Sequence, residues 1–241
     1  MNEFVTVSES RTVTAHGIFN NIEYIHNNLN IGYGAAHNIG IKKAINLGAK
    51  YHIVLNPDIY FESNILNVMI DYADKNEDVG YMLPKVIYQN GEIQYLCKLL
   101  PTPFDLIFRR FFPQYGIFEK INERYTLKDF GYDRIINPPC LSGCFMFMRT
   151  EILNKYNIFF DEKFFMYFED FDLIRRLHRV AKTIYYPYVT IIHNHEKASY
   201  KSWKMLLTHT RSACMYFNKY GWIFDFERTE MNKKILRNIL K

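Results

Sequence analysis

Along this chain the period of apolar and polar positions changes several times, and each change marks an element. Ile53, Val54 and Leu55 form a short apolar run without alternation, the pattern of a strand buried on both faces in a parallel sheet. Residues 22–25 and 52–55 read as strands, with a helix of about a dozen residues between them that ends at Gly48, so they make a βαβ unit. Ser63 stands as an N-cap before helical spacing over residues 65–72, and residues 79–83 read as the next strand. Asn90-Gly91 between residues 85–88 and 92–95 predicts a hairpin, because this pair supplies the positive φ angles of a tight turn. Periodicity is lost over residues 101–137, an excursion from the sheet dense in Phe, Arg, Pro and Tyr. Beyond it, residues 144–148 read as a strand, a short helix starts at Thr150 and an acid-rich one at Glu169, strands lie near Ile184 and over 189–192, and a helical region follows Ser199.

Composition narrows the class. The 241 residues, 49% of them hydrophobic, suffice for one core, so a single domain with a C-terminal helical appendage is expected. Nothing approaches the roughly 18 apolar residues of a membrane span, and the N-terminus lacks a signal-peptide core, which points to the cytoplasm. Cys97, Cys140, Cys144 and Cys214 lack zinc-site spacing and read as buried thiols. The net charge of +5 is spread out, and without an arginine-rich arm or zinc finger no nucleic-acid partner is expected.

Four places carry candidate chemistry. Asn56-Pro57-Asp58 ends the 52–55 strand, where Pro57 stops the ladder and Asp58 becomes either a turn residue or an oxygen ligand for a hard cation. A run of aromatic and apolar residues from Phe164 to Phe168 delivers Glu169, Asp170 and Asp172 into the first turn of a helix. The helix dipole accounts for one or two acids there, and a base raised by apolar surroundings accounts for the adjacent pair. His193 ends an apolar strand, as a polar terminus or as a second metal ligand with Asp58. Ser142-Gly143, like Gly32 and Gly34 before the first helix, permits either a tight bend or backbone approach to a phosphate.

In order, these blocks resemble the family 2 glycosyltransferases, most closely a rhamnosyltransferase-like bacterial branch. The residues that carry the resemblance are Asn30, Gly32, Gly34, Asn38 and Gly40, then Asn56-Pro57-Asp58, Gly91 with Gln94, Leu141-Ser142-Gly143, Phe165 to Asp172, and His193 with Ser199. The ordered set spans roughly residues 24–220, which makes it specific although each block is degenerate alone.

The resemblance implies an α/β fold of the GT-A nucleotide-diphospho-sugar transferase type, with a mostly parallel central sheet flanked by helices. Residues 1–98 would bind the nucleotide sugar, 99–200 would form the acceptor and catalytic half, and 200–241 the appendage. It further implies a metal site at Asp58 and His193 for manganese or magnesium, with Asp170 as catalytic base and Glu169 orienting beside it. Donor-binding positions would be Asn30, Gly32, Gly34, His37, Asn38, Asn56, Ser142, Gly143 and Asp172, with His37 where relatives place an arginine near the base. The reaction would invert the anomeric carbon, taking a hexose such as rhamnose from a deoxythymidine-diphosphate sugar to a saccharide or lipid-linked hydroxyl. Residues 5–10 match the family's second strand, with Ser8 or Glu9 at the base-reading acid; the first strand has no counterpart, so the fold is expected to be truncated at its N-terminus. A catalytically inactive homologue that binds a nucleotide sugar or a partner is the alternative. Phe104 to Phe118, with Arg109 and Arg110, would be either a peripheral membrane contact or packed core.

Overall fold

A computed structural model describes residues 5–7, 22–106, 116–194 and 203–239. Ser8, Glu9, His195, Ser199, Arg109 and Arg110 lie outside the described residues. Strands β1 (Val5–Val7) and β2 (Ile22–Tyr24) pair in parallel as a two-stranded sheet. Helix α1 (Tyr33–Asn46) leads to β3 (Tyr51–Leu55), the short β4 (Ile59–Tyr60), α2 (Asn64–Lys75) and β5 (Val79–Ile87). After the excursion, which includes α3 (Ile117–Tyr125), come β6 (Phe145–Arg149), α4 (Thr150–Lys155), α5 (Glu169–His178) and β7 (Lys182–His193). Helices α6 (Trp203–Tyr220) and α7 (Phe226–Ile239) close the chain.

The main sheet has five strands in the order β3-β6-β5-β7-β4. Only β5 and β7 pair in parallel; β3 with β6, β6 with β5, and β7 with β4 are antiparallel. The mostly parallel sheet expected from the resemblance, and from the apolar run 53–55, is therefore corrected. β6 returns from far along the chain and inserts, running the opposite way, between the two strands that α2 connects. An unalternating run reports cover on both faces, not strand direction. Even that cover is partial at β3, an edge strand among the described residues, where Leu55 is 37% exposed.

Two further elements differ from expectation. The Asn90-Gly91 turn forms, with Gly91 at φ 86° and its N–H donated to Tyr88 O, but the returning arm keeps a single bridge, Ile87 with Ile93. Tyr88 N–H donates to Glu92 O and Gln94 N–H to Val86 O around that bridge, while β6 pairs with β5 further back, at Tyr81 and Met82. The two strands expected around Ile184 and Val189 are one, β7, whose register against β5 slips after Pro84 and Tyr186. Pro84 and Pro187 flank that slip and lack the N–H a regular ladder would use.

The core lies over the middle strands, where Tyr81, Met82, Leu83 and all of β6 are buried. α7 adds Ile235 to it, while α6 packs Ala213, Tyr216 and Phe217 on Phe164 and Phe168 in a second, smaller cluster. Arg175 of α5, fully buried, fastens the C-terminal helices. Its guanidinium donates to both Asp225 oxygens at 2.7 Å and to Glu227, and lies 3.9 Å from the centre of the Tyr220 ring. Planar, bidentate pairing of this kind suits arginine. The C-terminal helices thus sit beside the helix that presents Glu169 and Asp170.

Candidate active site

β3 ends where Asn56 N–H donates to Cys144 O and Pro57 turns the chain. Asp58 O then accepts from Asn194 N–H, and Ile59 pairs with His193 in the β4–β7 ladder. This fixes the Asp58 carboxylate beside the end of β7: its Oδ1 lies 3.4 Å from His193 Nε2. Asp58 is partly open to solvent and His193 is buried.

Gln94 determines how the imidazole is presented. Its amide Nε2 donates to His193 O at 2.8 Å, which turns Oε1 toward His193 Nδ1 at 3.0 Å. An acceptor at that nitrogen places the ring proton on Nδ1 and leaves the Nε2 lone pair facing Asp58. An imidazole nitrogen and a carboxylate oxygen that converge in this way fit a divalent cation, whose remaining ligands would come from substrate phosphates. Among the described residues no group of three or more His, Cys, Asp or Glu side chains gathers as a metal site, so the protein offers this pair alone.

The second half of the site is the entry to α5. Tyr167 and Phe168 both have positive φ, 68° and 64°, a conformation that costs a non-glycine residue about 1 kcal/mol or more. The surroundings hold it: Ser212 Oγ donates to Met166 O at 2.7 Å, and the Tyr167 and Phe168 rings each pack against His209. The forced corner swings Glu169 and Asp170 toward Ser142-Gly143. Gly143 N–H donates to Asp170 Oδ2 at 3.1 Å, and Phe171 N–H donates to Oδ1 at 2.9 Å.

The two acids differ. Glu169 is buried, its Oε2 has no hydrogen-bond partner among the described groups, and burial together with the Asp170 charge pushes its carboxyl up to about 8. Burial also raises Asp170, but Lys98 and the N–H groups of Phe171 and Gly143 oppose the shift. Burial and the Asp170 charge thus favour the protonated form of Glu169, while Lys98 and the two N–H groups favour the ionised form of Asp170.

Tyr33 joins the two halves. Its hydroxyl lies 3.2 Å from Asn56 Oδ1 and 3.1 Å from Gly143 O, and can donate to either. Burial and then the charges of Glu169, Asp170, Cys144 and Asp58 raise its pKa, so it stands within reach of all three acids. The sequence pattern did not single out Tyr33 as a site residue, nor Lys98; Gln94 appeared only as part of a resemblance. A tyrosine between two glycines at a helix start was the one available signal.

Other expected donor-binding residues are engaged inside the protein. Asn30 Oδ1 accepts from Gly32 N–H. A Cβ on Gly32, at φ 93°, would lie 2.6 Å from Phe165 O, and one on Gly34 2.7 Å from Phe160 Cβ. Tyr33 N–H, in the position of an anion-binding amide, donates to Phe165 O. Asn38 is buried and exchanges hydrogen bonds with the Phe160 backbone on both sides. Gly32, Tyr33, Gly34 and Asn38 thus fasten the start of α1 to the loop before α5. His37 packs on the Tyr33 ring, and burial, then His52, holds it neutral with a pKa near 4. Asp172 is fully buried, with Arg176, Lys219 and Tyr220 on its oxygens, and acts as an internal anchor. Ser142 O accepts from Tyr81, leaving its side chain beside Cys144 N–H.

No family model and no curated protein matches the chain. Solved structures do match. They include S. aureus TarS (TM-score 0.51, 14% identity, 90% of this chain and 33% of that one). TarS 1-349 in complex with UDP-GlcNAc gives 0.50, 13%, 90% and 55%. GalNAc-T7 with UDP, GalNAc and Mn2+ gives 0.52, 14%, 84% and 39%. The chain thus spans a third to about half of those chains. At this identity the likeness establishes the fold, which is that of GT-A-like glycosyltransferases.

Proposed function

We propose that this protein is an inverting glycosyltransferase that binds a nucleotide-diphospho-sugar at Asp58 and His193 and activates an acceptor hydroxyl with Asp170. The observation that carries it is the convergence of His193 Nε2 and Asp58 Oδ1 at 3.4 Å under the control of Gln94. A manganese or magnesium ion bound there supplies the positive charge that a departing diphosphate needs.

Asp170, held ionised by two backbone N–H groups, takes the proton of the acceptor hydroxyl. The acceptor oxygen forms a bond to the anomeric carbon as the bond from that carbon to the diphosphate oxygen breaks, so the configuration inverts. Glu169, protonated beside Asp170, keeps a second negative charge out of the corner. Asn56, Ser142 and His37 are donor-side residues with part of their surface open to a ligand, Gly143 serves through its hydrogen bond to Asp170, and Asn30, Gly32, Gly34, Asn38 and Asp172 shape the site from behind.

The donor is a hexose on uridine or deoxythymidine diphosphate, and the acceptor a saccharide or a lipid-linked sugar in cell-surface polysaccharide synthesis. GalNAc-T7 with UDP and Mn2+, and TarS with UDP-GlcNAc, support such a donor in this fold. Among the described residues no helix is long and apolar enough to cross a membrane. The division at about residues 98 and 200 into donor half, acceptor half and appendage belongs to the same proposal. Isothermal titration with UDP and dTDP tests the donor site. Binding that requires manganese and is abolished by Asp58→Ala supports it, whereas equal affinity in chelator removes the metal role.

A further inference from the structure

We infer that Tyr33 is a positioning residue for the transfer step. Its one hydroxyl proton is shared between Asn56 on the donor side and Gly143 on the acceptor side, so the corner that aims Asp170 responds to what Asn56 holds. The part in transfer rests on the proposed function; the shared proton does not. The rest of the residue holds the hydroxyl in place. Tyr33 N–H donates to Phe165 O at 2.9 Å, and its ring packs edge-on against His37 and Phe160, with centroids 4.3 and 6.1 Å apart. Burial, then the charges of Glu169, Asp170, Cys144 and Asp58, keep the hydroxyl protonated, so it has one proton to give.

Asn56 Oδ1 at 3.2 Å and Gly143 O at 3.1 Å compete for that proton, since neither oxygen can donate. Both distances exceed the roughly 2.7–2.8 Å of a settled O–H···O bond, the geometry of a proton divided between two acceptors. The neighbouring peptide has its bonds: Tyr81 donates to Ser142 O at 2.7 Å, and Gly143 N–H donates to Asp170 Oδ2 at 3.1 Å. The Tyr33 bond to Gly143 O is therefore the part of the corner that can strengthen or weaken.

Asn56 sets which way the proton goes. A half-turn of its amide puts Nδ2, a donor, against the Tyr33 oxygen and sends the hydroxyl proton wholly to Gly143 O. Asn56 is half-buried at the end of β3, two residues before Asp58, so a donor bound there can reach its side chain. A ligand that draws Asn56 Oδ1 into the cleft produces that half-turn. The Gly143 backbone is then gripped on both sides, by Tyr33 at its carbonyl and by Asp170 at its N–H, and the base is steadied once the donor is in place.

The dipeptide Gly-Cys occurs once in the chain, at Gly143-Cys144. Protein with carbonyl-labelled glycine and nitrogen-labelled cysteine therefore gives one carbonyl–amide correlation in its magnetic resonance spectrum, which reports the bond to Gly143 O without turnover. Tyr33→Phe, which keeps the ring packing, should move this carbonyl signal upfield. Asn56→Ala removes the competing acceptor and should move it downfield when Tyr33 is present, but leave it in place in the Tyr33→Phe background. That background also controls for the Asn56 N–H bond to Cys144 O. In acceptor-dependent turnover Tyr33→Phe should lower kcat about tenfold with donor KM nearly unchanged. A carbonyl indifferent to either substitution, or equally responsive to Asn56→Ala with and without the hydroxyl, overturns the shared proton. Wild-type kcat in Tyr33→Phe overturns the positioning role. Coupled shifts in a protein that releases no nucleotide would contradict the transferase reading instead, with the shared proton upheld.

Discussion

The backbone N–H of Gly143 donates to Asp170 Oδ2 at 3.1 Å, and a Cβ added to Gly143 would lie 3.0 Å from Asp170 Cβ. The small-residue corner and the acid of α5 are thus fitted to each other, and the glycine is needed for the approach. Gly143→Ala should push the carboxylate aside. The expected result is a kcat lower by about tenfold to a hundredfold with donor affinity nearly unchanged, measured by steady-state kinetics and nucleotide titration. Unchanged kcat would separate Asp170 from the reaction.

Glu169 links the same corner to pH. The folded carboxyl keeps its proton up to about 8, whereas its ordinary value is 4.5. Between those values the folded state binds more protons than the unfolded one, so stability falls as pH rises and the penalty is complete above about 8; below 4.5 it vanishes. Glu169→Gln cannot ionise. Urea unfolding from about pH 5 to about pH 8 should show a slope shallower than wild type by up to about 1.4 kcal/mol per pH unit. Parallel slopes would show that Glu169 is ionised in the fold.

Gln94→Leu removes the acceptor that holds the His193 proton on Nδ1 while keeping a similar volume. Manganese affinity in the presence of nucleotide diphosphate should fall about tenfold to a hundredfold, the usual effect of losing such an outer partner. Titration followed by manganese paramagnetic resonance reads this, and an unaltered affinity would mean that the imidazole is not oriented by Gln94.

Much of this site was legible locally. The Asn56-Pro57-Asp58 stop, the acids behind an aromatic run and the histidine at a strand end all follow from short-range pattern, and all lie around one corner. Long-range contacts were not legible. Tyr33 meets Asn56 and Gly143 across 23 and 110 positions, and Gln94 meets His193 across 99. Local periodicity carries no record of such pairs. The glycines before α1 suggested an anion cradle, yet Gly32 is required by a close approach to the Phe165 backbone and a positive φ. Strand direction escaped for the same reason, since the insertion of β6 depends on residues far from β3 and β5.

Arg175 is buried between Asp225, Glu227 and the Tyr220 ring. Arg175→Met should destabilise the protein by about 3–5 kcal/mol, because Asp225 is left buried without its cation. Chemical denaturation checks it; a loss under about 1 kcal/mol would mean that the C-terminal helices are held by their apolar contacts alone.

The central claim is that Asp170 activates the acceptor for transfer from a diphosphate donor. Its most direct measurement is nucleotide diphosphate release from a panel of nucleotide sugars with manganese and a saccharide acceptor, comparing wild type with Asp170→Asn. The account predicts release with at least one donor, dependent on the acceptor, and a rate lower by about 10² to 10⁴ in Asp170→Asn with donor binding retained. Acceptor-dependent release at the wild-type rate in Asp170→Asn, or no release from any donor that binds, would contradict it.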